Sequence, residues 1–363
     1  MVPTIFSKIH LLKIITSLTL LLVTSCGPPQ QLPGKPWHHT TDGFRNPQGS
    51  PKRNSWIERS PWLFNRIKNM LFYADKPTAS FSHIMPKEEV LEGLKSSLGN
   101  DTVTWLGHMT ALLRINNKTI LTDPWLSRYA SPIQPFGPKR YTPPALNVKE
   151  LPPIDFIVIS HSHFDHLDLT TIKELSYKKN ISVVVPLGVG KYFRELGYKE
   201  VFELDWEQSV QLNHTKFTAL PVIHWSKRSL FSNNDSLWAG WAIESSNGTK
   251  VYFGGDAEYG PVYESIGKRH GGFDLTLLSI GAYLPRIVMK GAHCIPEDCI
   301  RIGRDLKGDS HLAMHWGTVK LGDDTPEEAI LRFRTGGKNL NIQDNKLWVM
   351  KIGETRKIPK RNN

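Results

Sequence analysis

The sequence has few cysteines and, after its first 25 residues, no long apolar run. Three cysteines in 363 residues are too few for a disulfide-based scaffold. No stretch beyond residue 25 is apolar enough to cross a bilayer, which excludes a polytopic membrane protein. No repeat of fixed period is visible, so a solenoid is excluded. The sequence also has no G-x-S-x-G segment, and no serine nucleophile is needed.

The composition is that of a globular protein with a basic surface. Hydrophobic residues make up 39% of the chain and charged residues 22%, which is enough to bury a core. The formal net charge of +11 favours anionic partners such as a lipid headgroup surface, a phosphate ester or nucleic acid. The length by itself leaves one or two domains open.

The N-terminal segment predicts export. Lys8 and Lys13 precede the apolar run 14–23, which is too short for a stable membrane span. The run ends in Val23-Thr24-Ser25-Cys26, which resembles the bacterial lipoprotein box. This resemblance implies that Cys26 is lipidated and that the protein is anchored in the cell envelope, in the outer membrane if the source is Gram-negative.

Composition divides the chain into four parts. Residues 1–25 read as the signal peptide, and residues 26–60, rich in Pro, Gly, Gln and Asn, predict a flexible tether or an arm along the surface. Residues 61–355 contain no second linker, so we expect a single folded domain. Residues 356–363 predict a solvated basic tail.

Several short apolar runs end in polar residues that can bind metal. Their β-branched and aromatic content predicts strands over 156–159, 217–223, 251–253 and 312–314. Segments 169–177 and 296–306 predict helices. Strands that alternate with helices indicate an α/β fold, which can hold side chains from several strand ends rigidly and close together.

The strongest motif is the hexad His161-Ser162-His163-Phe164-Asp165-His166. Its three imidazoles and its carboxylate supply the nitrogen and oxygen ligands that zinc prefers. On an extended segment, His161 and His163 point the same way and can bind one ion. Asp165 and His166 lie on the turn that follows and can reach a second ion.

Two ions need more ligands than one loop supplies, and three candidates lie at other strand ends. They are His224, Asp256 and His315. Two glycines precede Asp256 and allow the backbone a close approach to a buried carboxylate. Each candidate alone is as consistent with an ordinary core or loop residue, but together with the hexad they predict a dinuclear metal site.

These residues and several longer motifs resemble the metallo-β-lactamase superfamily. Thr104-Trp105-Leu106-Gly107-His108, Gly137-Pro138-Lys139-Arg140 and His315-Trp316-Gly317-Thr318 are similar to motifs of its N-acylphosphatidylethanolamine-hydrolysing phospholipase D branch. The similarity extends over about residues 100–320. It implies an αββα sandwich, in which two mixed β-sheets are flanked by helices and the metal site lies at one edge.

The resemblance assigns each ligand to one of two Zn²⁺ ions, with Mn²⁺ or Fe²⁺ as alternatives. The ligands of the first ion would be His161, His163 and His224. The ligands of the second ion would be Asp165, His166 and His315, with Asp256 as the bridge. Asp165 and Asp256 are therefore expected to serve catalysis as metal ligands.

Three more residues are expected near the metals. His293 falls where the family has a histidine beside the site, and we expect it to orient or protonate the substrate. Asp123, at a strand end before Pro124, is expected to accept a hydrogen bond from His161 or a neighbouring ligand, a turn-starting Asp being the alternative. His108 is the weakest of the three, because a packed histidine explains it equally well.

Paired zinc ions about 3.5–4 Å apart lower the pKa of a shared water, so that hydroxide is available as the nucleophile near neutrality. We expect a phospholipase D-type phosphodiesterase that releases phosphatidic acid from an N-acylphosphatidylethanolamine-like lipid. The alternatives are a lactonase or esterase acting on a small metabolite, and a non-catalytic envelope lipoprotein.

Export argues against nucleic acid as a partner. The oligomeric state, a homodimer included, and the pairing of Cys294 with Cys299 are left open.

Overall fold

The structure is a computed structural model that describes residues 29–72, 83–133, 136–229 and 232–361. The predicted signal peptide and the predicted lipidation site, Cys26, lie outside the described residues. Within the described ranges, no helix has both the length and the hydrophobicity needed to cross a membrane.

The described residues form short strands and helices in alternation. The strands are β1 (His39–Thr40), β2 (Gly43–Phe44), β3 (Thr102–Gly107), β4 (Thr110–Ile115), β5 (Lys118–Thr122), β6 (Phe156–Val158), β7 (Ser182–Pro186), β8 (Glu200–Leu204), β9 (Ser209–Leu212), β10 (Thr215–Leu220), β11 (Gly240–Ser245), β12 (Lys250–Phe253), β13 (Phe273–Ser279), β14 (Gly308–Met314), β15 (Leu347–Trp348) and β16 (Thr355–Lys357). The α-helices are α1 (Trp56–Phe72), α2 (Lys87–Ser96), α3 (Leu169–Glu174), α4 (Gly190–Glu195), α5 (Val262–His270), α6 (Arg286–Met289), α7 (Pro296–Asp305) and α8 (Pro326–Asn339).

Two seven-stranded sheets lie at the centre of the fold, with strand orders β16-β3-β4-β5-β6-β7-β8 and β15-β14-β13-β12-β11-β10-β9. Both sheets are mixed. In the first, β3 to β5 pair antiparallel and β5 to β8 pair parallel. In the second, β9 to β12 pair antiparallel and β12 to β15 pair parallel.

The core lies between the two sheets. Phe156 of β6 meets Phe217 of β10 at 5.1 Å between ring centroids, and Trp241 of β11 donates a hydrogen bond to the carbonyl of Ile159. Helix α4 packs on β7 and β8, and helix α7 packs on β13 and β14. The central strands are apolar on both faces because each sheet is covered by the other sheet and by helices. The predicted αββα fold class is confirmed.

The predicted strands correspond to β6, β10, β12 and β14, and the predicted helices to α3 and α7. Strand β10 ends at Leu220, before the predicted end at residue 223, because Pro221 cannot donate a hydrogen bond to the neighbouring strand. Helix α3 ends at Glu174, before the predicted end at Tyr177, whose φ of 56° is incompatible with a continuing helix.

Residues 29–55 form an arm along the surface of the domain, which was one of the two structures expected for this segment. The β1–β2 hairpin is held by Asp205, whose two carboxylate oxygens lie 2.6 Å from Nε2 of His38 and 2.7 Å from Nε2 of His39. His38 also stacks on Trp206. These contacts fix a segment that has little hydrophobic sequence of its own. The predicted boundary at residue 60 falls inside α1.

The predicted basic tail over 356–363 needs correction, because its first residues belong to the domain. Strand β16 pairs antiparallel with β3, and Ile358 is buried. The backbone N–H of Arg361 donates to Asp274 at 2.8 Å. The free edge of β3 and the apolar side chain of Ile358 explain why a basic segment is ordered here.

The sequence does not decide whether Cys294 and Cys299 are paired. In the structure they form a disulfide.

Candidate metal centre

The predicted metal ligands follow strands of both sheets at one edge of the sandwich. His161 comes after β6, His224 after β10, Asp256 after β12 and His315 after β14. Asp123 comes directly after β5, which is parallel to β6. Because parallel neighbours end at the same edge of a sheet, the fold brings together side chains that are far apart in the sequence.

The first cluster consists of His161, His163 and His224. Nδ1 of His163 lies 2.7 Å from Nε2 of His161 and 3.3 Å from Nε2 of His224. The other ring nitrogen of His224 donates to the carbonyl of Ala292 at 2.8 Å, and that of His161 lies 2.9 Å from Oγ of Ser160. The inward nitrogens of His161 and His224 therefore carry lone pairs. The ligand atoms of the three histidines lie within 4.8 Å of one another, and three imidazole nitrogens this close fit one metal ion.

Ser160 acts as an acceptor for His161 because its own proton is used elsewhere. Its hydroxyl donates to a carboxylate oxygen of Asp123 at 2.5 Å. Nδ1 of His166 also donates to Asp123, at 2.6 Å. Asp123 thus has the supporting position that was expected, with His166 as its direct partner and His161 reached through Ser160. Carboxylates that accept from metal-binding histidines fix the orientation and tautomer of the ring.

The second cluster consists of Asp165, His166 and His315, with His108 beside them. Oδ2 of Asp165 lies 3.4 Å from Nε2 of His166 and 3.6 Å from Nε2 of His315. His108 is buried, and its Nε2 lies 2.9 Å from the same oxygen. These four residues offer ligand atoms that all lie within 4.8 Å of one another. The structure therefore places His108 against this cluster rather than away from it.

Asp256 lies between the two clusters. Its Oδ2 is 3.1 Å from Nε2 of His166 and 3.9 Å from Nε2 of His224, and its Oδ1 is 3.2 Å from Nε2 of His315. Gly255 makes this position possible, because its φ is +57° and an added Cβ would lie 2.3 Å from Cβ of Ser160. This is the close backbone approach that the paired glycines predict.

Several buried atoms at the centre have no hydrogen-bond partner among the described residues, and three of them lie on or beside Asp256. They are Nε2 of His166, Nε2 of His315 and Oδ1 of Asp256. In the neutral form that binds metal, His166 has its proton on Nδ1, directed at Asp123, and its Nε2 presents a lone pair toward Asp256. Buried polar atoms without partners are rare and call for an explanation. A cation between them supplies the missing interaction, and imidazoles with carboxylates are suitable ligands for transition metals.

The electrostatics differ between the clusters. Burial lowers the pKa of His163 and of His224 to about 3, which keeps both rings neutral and able to bind metal. Burial acts against protonation of His315 too, but Asp256 and Asp165 outweigh it and raise the pKa of His315 to about 9. The same carboxylates, with Asp123, raise the pKa of His166 well above its usual value despite burial. The second cluster therefore has the more negative surroundings and attracts positive charge more strongly.

His293 lies beside the centre, as expected. Its Nε2 is 3.9 Å from Oδ2 of Asp256, and its ring centroid is 5.2 Å from that of His224. Its Nδ1 is buried and has no partner among the described residues. Arg286 donates to the carbonyl of His293 at 2.5 Å and pairs with Glu258, so the loop that carries this histidine is held in place.

Sequence reasoning missed two residues that support the ligands. Asn46, in the arm, donates to the carbonyl of His224 at 2.8 Å and accepts from its N–H at 2.9 Å. Arg228 donates to the carbonyls of Ser162 and Leu167 and so braces the hexad loop. Nothing in the local sequence predicts either contact, because the arm lies about 180 positions from His224 and was interpreted as a surface segment.

The fold and these clusters together define a metallo-β-lactamase-type domain, with facing mixed sheets and histidine and aspartate ligands at one edge. A family model described as "Beta-lactamase superfamily domain" matches residues 118–316, more than half of the chain. The chain belongs to this superfamily. The matched residues include all the predicted metal ligands, and the predicted class, a metal-dependent hydrolase of this fold, is confirmed at the level of the family.

Similar proteins agree with the predicted branch. An uncharacterized protein of Mycobacterium tuberculosis is 42% identical over 224 residues, which cover 60% of this chain and 59% of that protein. The N-acyl-phosphatidylethanolamine-hydrolyzing phospholipase D 1 of Caenorhabditis elegans is 36% identical over 230 residues, which cover 60% of this chain and 64% of that protein. The chain thus spans about 60% of the length of these two relatives.

A solved structure supports the fold independently. A possible metal-dependent hydrolase from Veillonella parvula superposes with a TM-score of 0.57 at 19% sequence identity, covering 71% of this chain and all of that one. An identity this low supports the shared fold and no more.

Proposed function

We propose that this protein is a phospholipase D-type phosphodiesterase that uses two zinc ions to hydrolyse an N-acylphosphatidylethanolamine-like lipid. The observation that carries the proposal is the position of Asp256, whose carboxylate lies between two clusters of metal-binding side chains. The similarity to the Caenorhabditis elegans phospholipase D supports the choice of substrate.

Each cluster would hold one ion. The first would be bound by His161, His163 and His224, the second by Asp165, His166 and His315, and Asp256 would contact both. When bound, two such ions supply an activated water and neutralise the charge that develops on the phosphate oxygens. The remaining work of the chain is to orient ligands and substrate, which dominates catalysis of phosphoryl transfer.

The residues around the ligands perform that orientation. Asp123, Ser160 and the carbonyl of Ala292 accept the outer ring protons, so that the inner nitrogens of the histidines face the ions. Nε2 of His293 lies 3.9 Å from Oδ2 of Asp256, and from this position it can donate a hydrogen bond to a substrate oxygen. This bond would hold the diester with its leaving alcohol directed away from the attacking water.

The reaction is a hydrolysis at phosphorus. The water oxygen forms a bond to phosphorus, and the bond between phosphorus and the oxygen of the N-acylethanolamine breaks. The leaving oxygen takes up a proton that originates from the water. The products are phosphatidic acid and an N-acylethanolamine.

A membrane location is part of the proposal. Trp56, Ile57 and Phe64 of α1 are 59%, 82% and 65% exposed, which favours contact with a lipid surface. Ile287 of α6 is exposed as well and lies next to the arm, because Asn54 donates to its carbonyl. Acyl chains on Cys26 would hold this surface at the cell envelope, where lipid rather than nucleic acid is the accessible phosphodiester.

Hydrolysis of defined vesicles tests the proposal. The zinc-loaded protein is incubated with vesicles that contain N-acylphosphatidylethanolamine or phosphatidylethanolamine, and in parallel with a small lactone, with Asp256→Asn as the inactive control. We expect phosphatidic acid to form from the N-acylated lipid with the wild-type protein alone. Hydrolysis of the lactone without that of any lipid would overturn the proposal in favour of an esterase. Zinc binding with no hydrolysis at all would leave a non-catalytic lipoprotein.

A further inference from the structure

Arg53, at the end of the arm, is a cation without an anionic partner. Its guanidinium lies over the ring of Trp225, 4.0 Å from the centroid. Its Nε is buried and has no hydrogen-bond partner among the described residues. Burial and the neighbouring Arg59 lower the pKa of Arg53 to about 9, and no carboxylate acts against them. Arg53 is half-buried, and a guanidinium whose Nε is buried without an acceptor requires an explanation.

The other arginines near the centre are satisfied by the protein itself. Arg286 is paired with Glu258, and Arg228 donates to two backbone carbonyls of the hexad region. Both therefore have the acceptors that a buried guanidinium needs. Arg228 also lies over an aromatic ring, that of Phe164, so Arg53 differs from these two arginines in having no oxygen acceptor among the described residues.

The position of Arg53 relates it directly to the metal centre. Trp225 follows the ligand His224, and its ring lies 4.4 Å from that of His163. The aliphatic stem of Arg53 packs on Gly291, where an added Cβ would be 2.9 Å from Cγ of Arg53. Gly291 lies in the loop that carries His293. Arg53 thus contacts the residue that follows the ligand His224 and the loop that carries His293.

We propose that Arg53 is a substrate-binding residue that holds a non-bridging oxygen of an anionic phosphodiester at the metal centre. An arginine forms short, paired hydrogen bonds with phosphate oxygens, and stacking on Trp225 pre-orients its planar fork. This inference rests on the proposed function, and it adds that the arm selects an anionic diester over a neutral ester. A lactone or carboxylic ester offers no negative oxygen for this cation.

The test compares an anionic and a neutral substrate on the same metal centre. We measure kcat and KM of the zinc-loaded wild-type protein and of two variants, Arg53→Gln and Arg45→Gln. The substrates are bis(4-nitrophenyl) phosphate, an anionic diester, and 4-nitrophenyl acetate, a neutral ester, under the same conditions. Arg45 is the matched control, because it also stacks on a tryptophan of the arm, Trp37, and its loss changes the net charge equally. We expect Arg53→Gln to lower kcat/KM for the diester by about 10- to 100-fold, mainly through KM, as the loss of a charged hydrogen bond implies.

The ratio of the two activities separates substrate binding from a structural role. We expect the diester-to-ester ratio of Arg53→Gln to fall at least tenfold, with two zinc ions per chain retained and Arg45→Gln equal to wild type. Equal losses on both substrates, or loss of zinc, would mean that Arg53 only supports Trp225 and His163, and the inference would be wrong. If Arg53→Gln does not fold, Arg53→Met, which keeps an apolar stem against Gly291, is measured in its place with the same expectation.

A binding measurement distinguishes this inference from the proposed function. Dimethyl phosphate is titrated calorimetrically into the zinc-loaded proteins, and we expect at least tenfold weaker binding to Arg53→Gln than to wild type. Equal binding overturns the role of Arg53 even if the wild-type protein hydrolyses lipids. If binding depends on Arg53 and no phosphodiester is hydrolysed, the anion site stands and the proposed function fails.

Discussion

Asp123 accepts a hydrogen bond from Nδ1 of His166 at 2.6 Å, and both side chains are fully buried. The same carboxylate accepts from the backbone N–H and from the hydroxyl of Ser160, which in turn accepts from His161. One aspartate therefore orients a histidine of each cluster.

The first prediction concerns metal affinity. Asp123→Ala should weaken zinc binding by about 10- to 100-fold, because the ring tautomers of His166 and His161 are no longer fixed. Equilibrium titration against a zinc chelator measures the effect, with Asp344→Ala, an exposed carboxylate far along the chain, as the control. Unchanged zinc affinity in Asp123→Ala would show that Asp123 has no part in orienting the ligands.

The second prediction concerns the arm. Asn46→Ala should destabilise the protein by roughly 1–3 kcal/mol, because the N–H and the carbonyl of His224 lose their buried partners. Since His224 is a ligand of the first cluster, zinc affinity should fall as well. Urea unfolding with and without zinc measures both effects. The control is Asp42→Ala, an exposed position on the same arm, which should change neither the free energy of unfolding nor the zinc affinity.

The third prediction concerns the glycine before Asp256. Gly255→Ala should destabilise the protein by more than about 3 kcal/mol, because overpacking against Ser160 adds to the strain of a positive φ. Gly248→Ala is the matched control. Its φ is also positive, +89°, but its added Cβ has no atom within 4 Å, so it loses about 1–2 kcal/mol from backbone strain alone. Thermal unfolding compares the two, and equal losses would contradict the steric argument.

The fourth prediction concerns the disulfide. Replacing Cys294 and Cys299 by alanine should lower the free energy of unfolding by roughly 2 kcal/mol, the loop-closure contribution of a short loop. Since Cys294 directly follows His293, activity should fall more than the binding of zinc. Unfolding of wild-type protein with and without a reductant checks the first part. A reductant that leaves the stability unchanged would contradict it.

The fifth prediction concerns anchoring. Cys26→Ser should release the protein from the membrane fraction, because the thiol that would carry the acyl chains is gone. Fractionation of cells together with mass spectrometry of the intact protein measures location and acylation. An unmodified Cys26 in the wild-type protein would contradict the lipoprotein interpretation.

Much of the fold was predictable because its signals are local. Apolar runs with β-branched residues predicted β6, β10, β12 and β14, and their polar ends predicted ligands. The errors lie at the ends of elements and domains. The segment after residue 355 has the composition of a tail, yet the free edge of β3 orders it, and this edge is not visible in the local sequence.

The sequence by itself determined which side chains can bind metal, because the residue types and their places after apolar strands are local properties. Only the tertiary structure decided how they are placed: Asp256 lies between both clusters, and Asp123 accepts from His166. From the arm, Asn46 contacts His224 and Arg53 contacts Trp225. Such contacts join residues that are distant in the chain. Their geometry is set by the packing of two sheets and by the hydrogen-bonding needs of buried polar atoms, and no local pattern in the sequence encodes it.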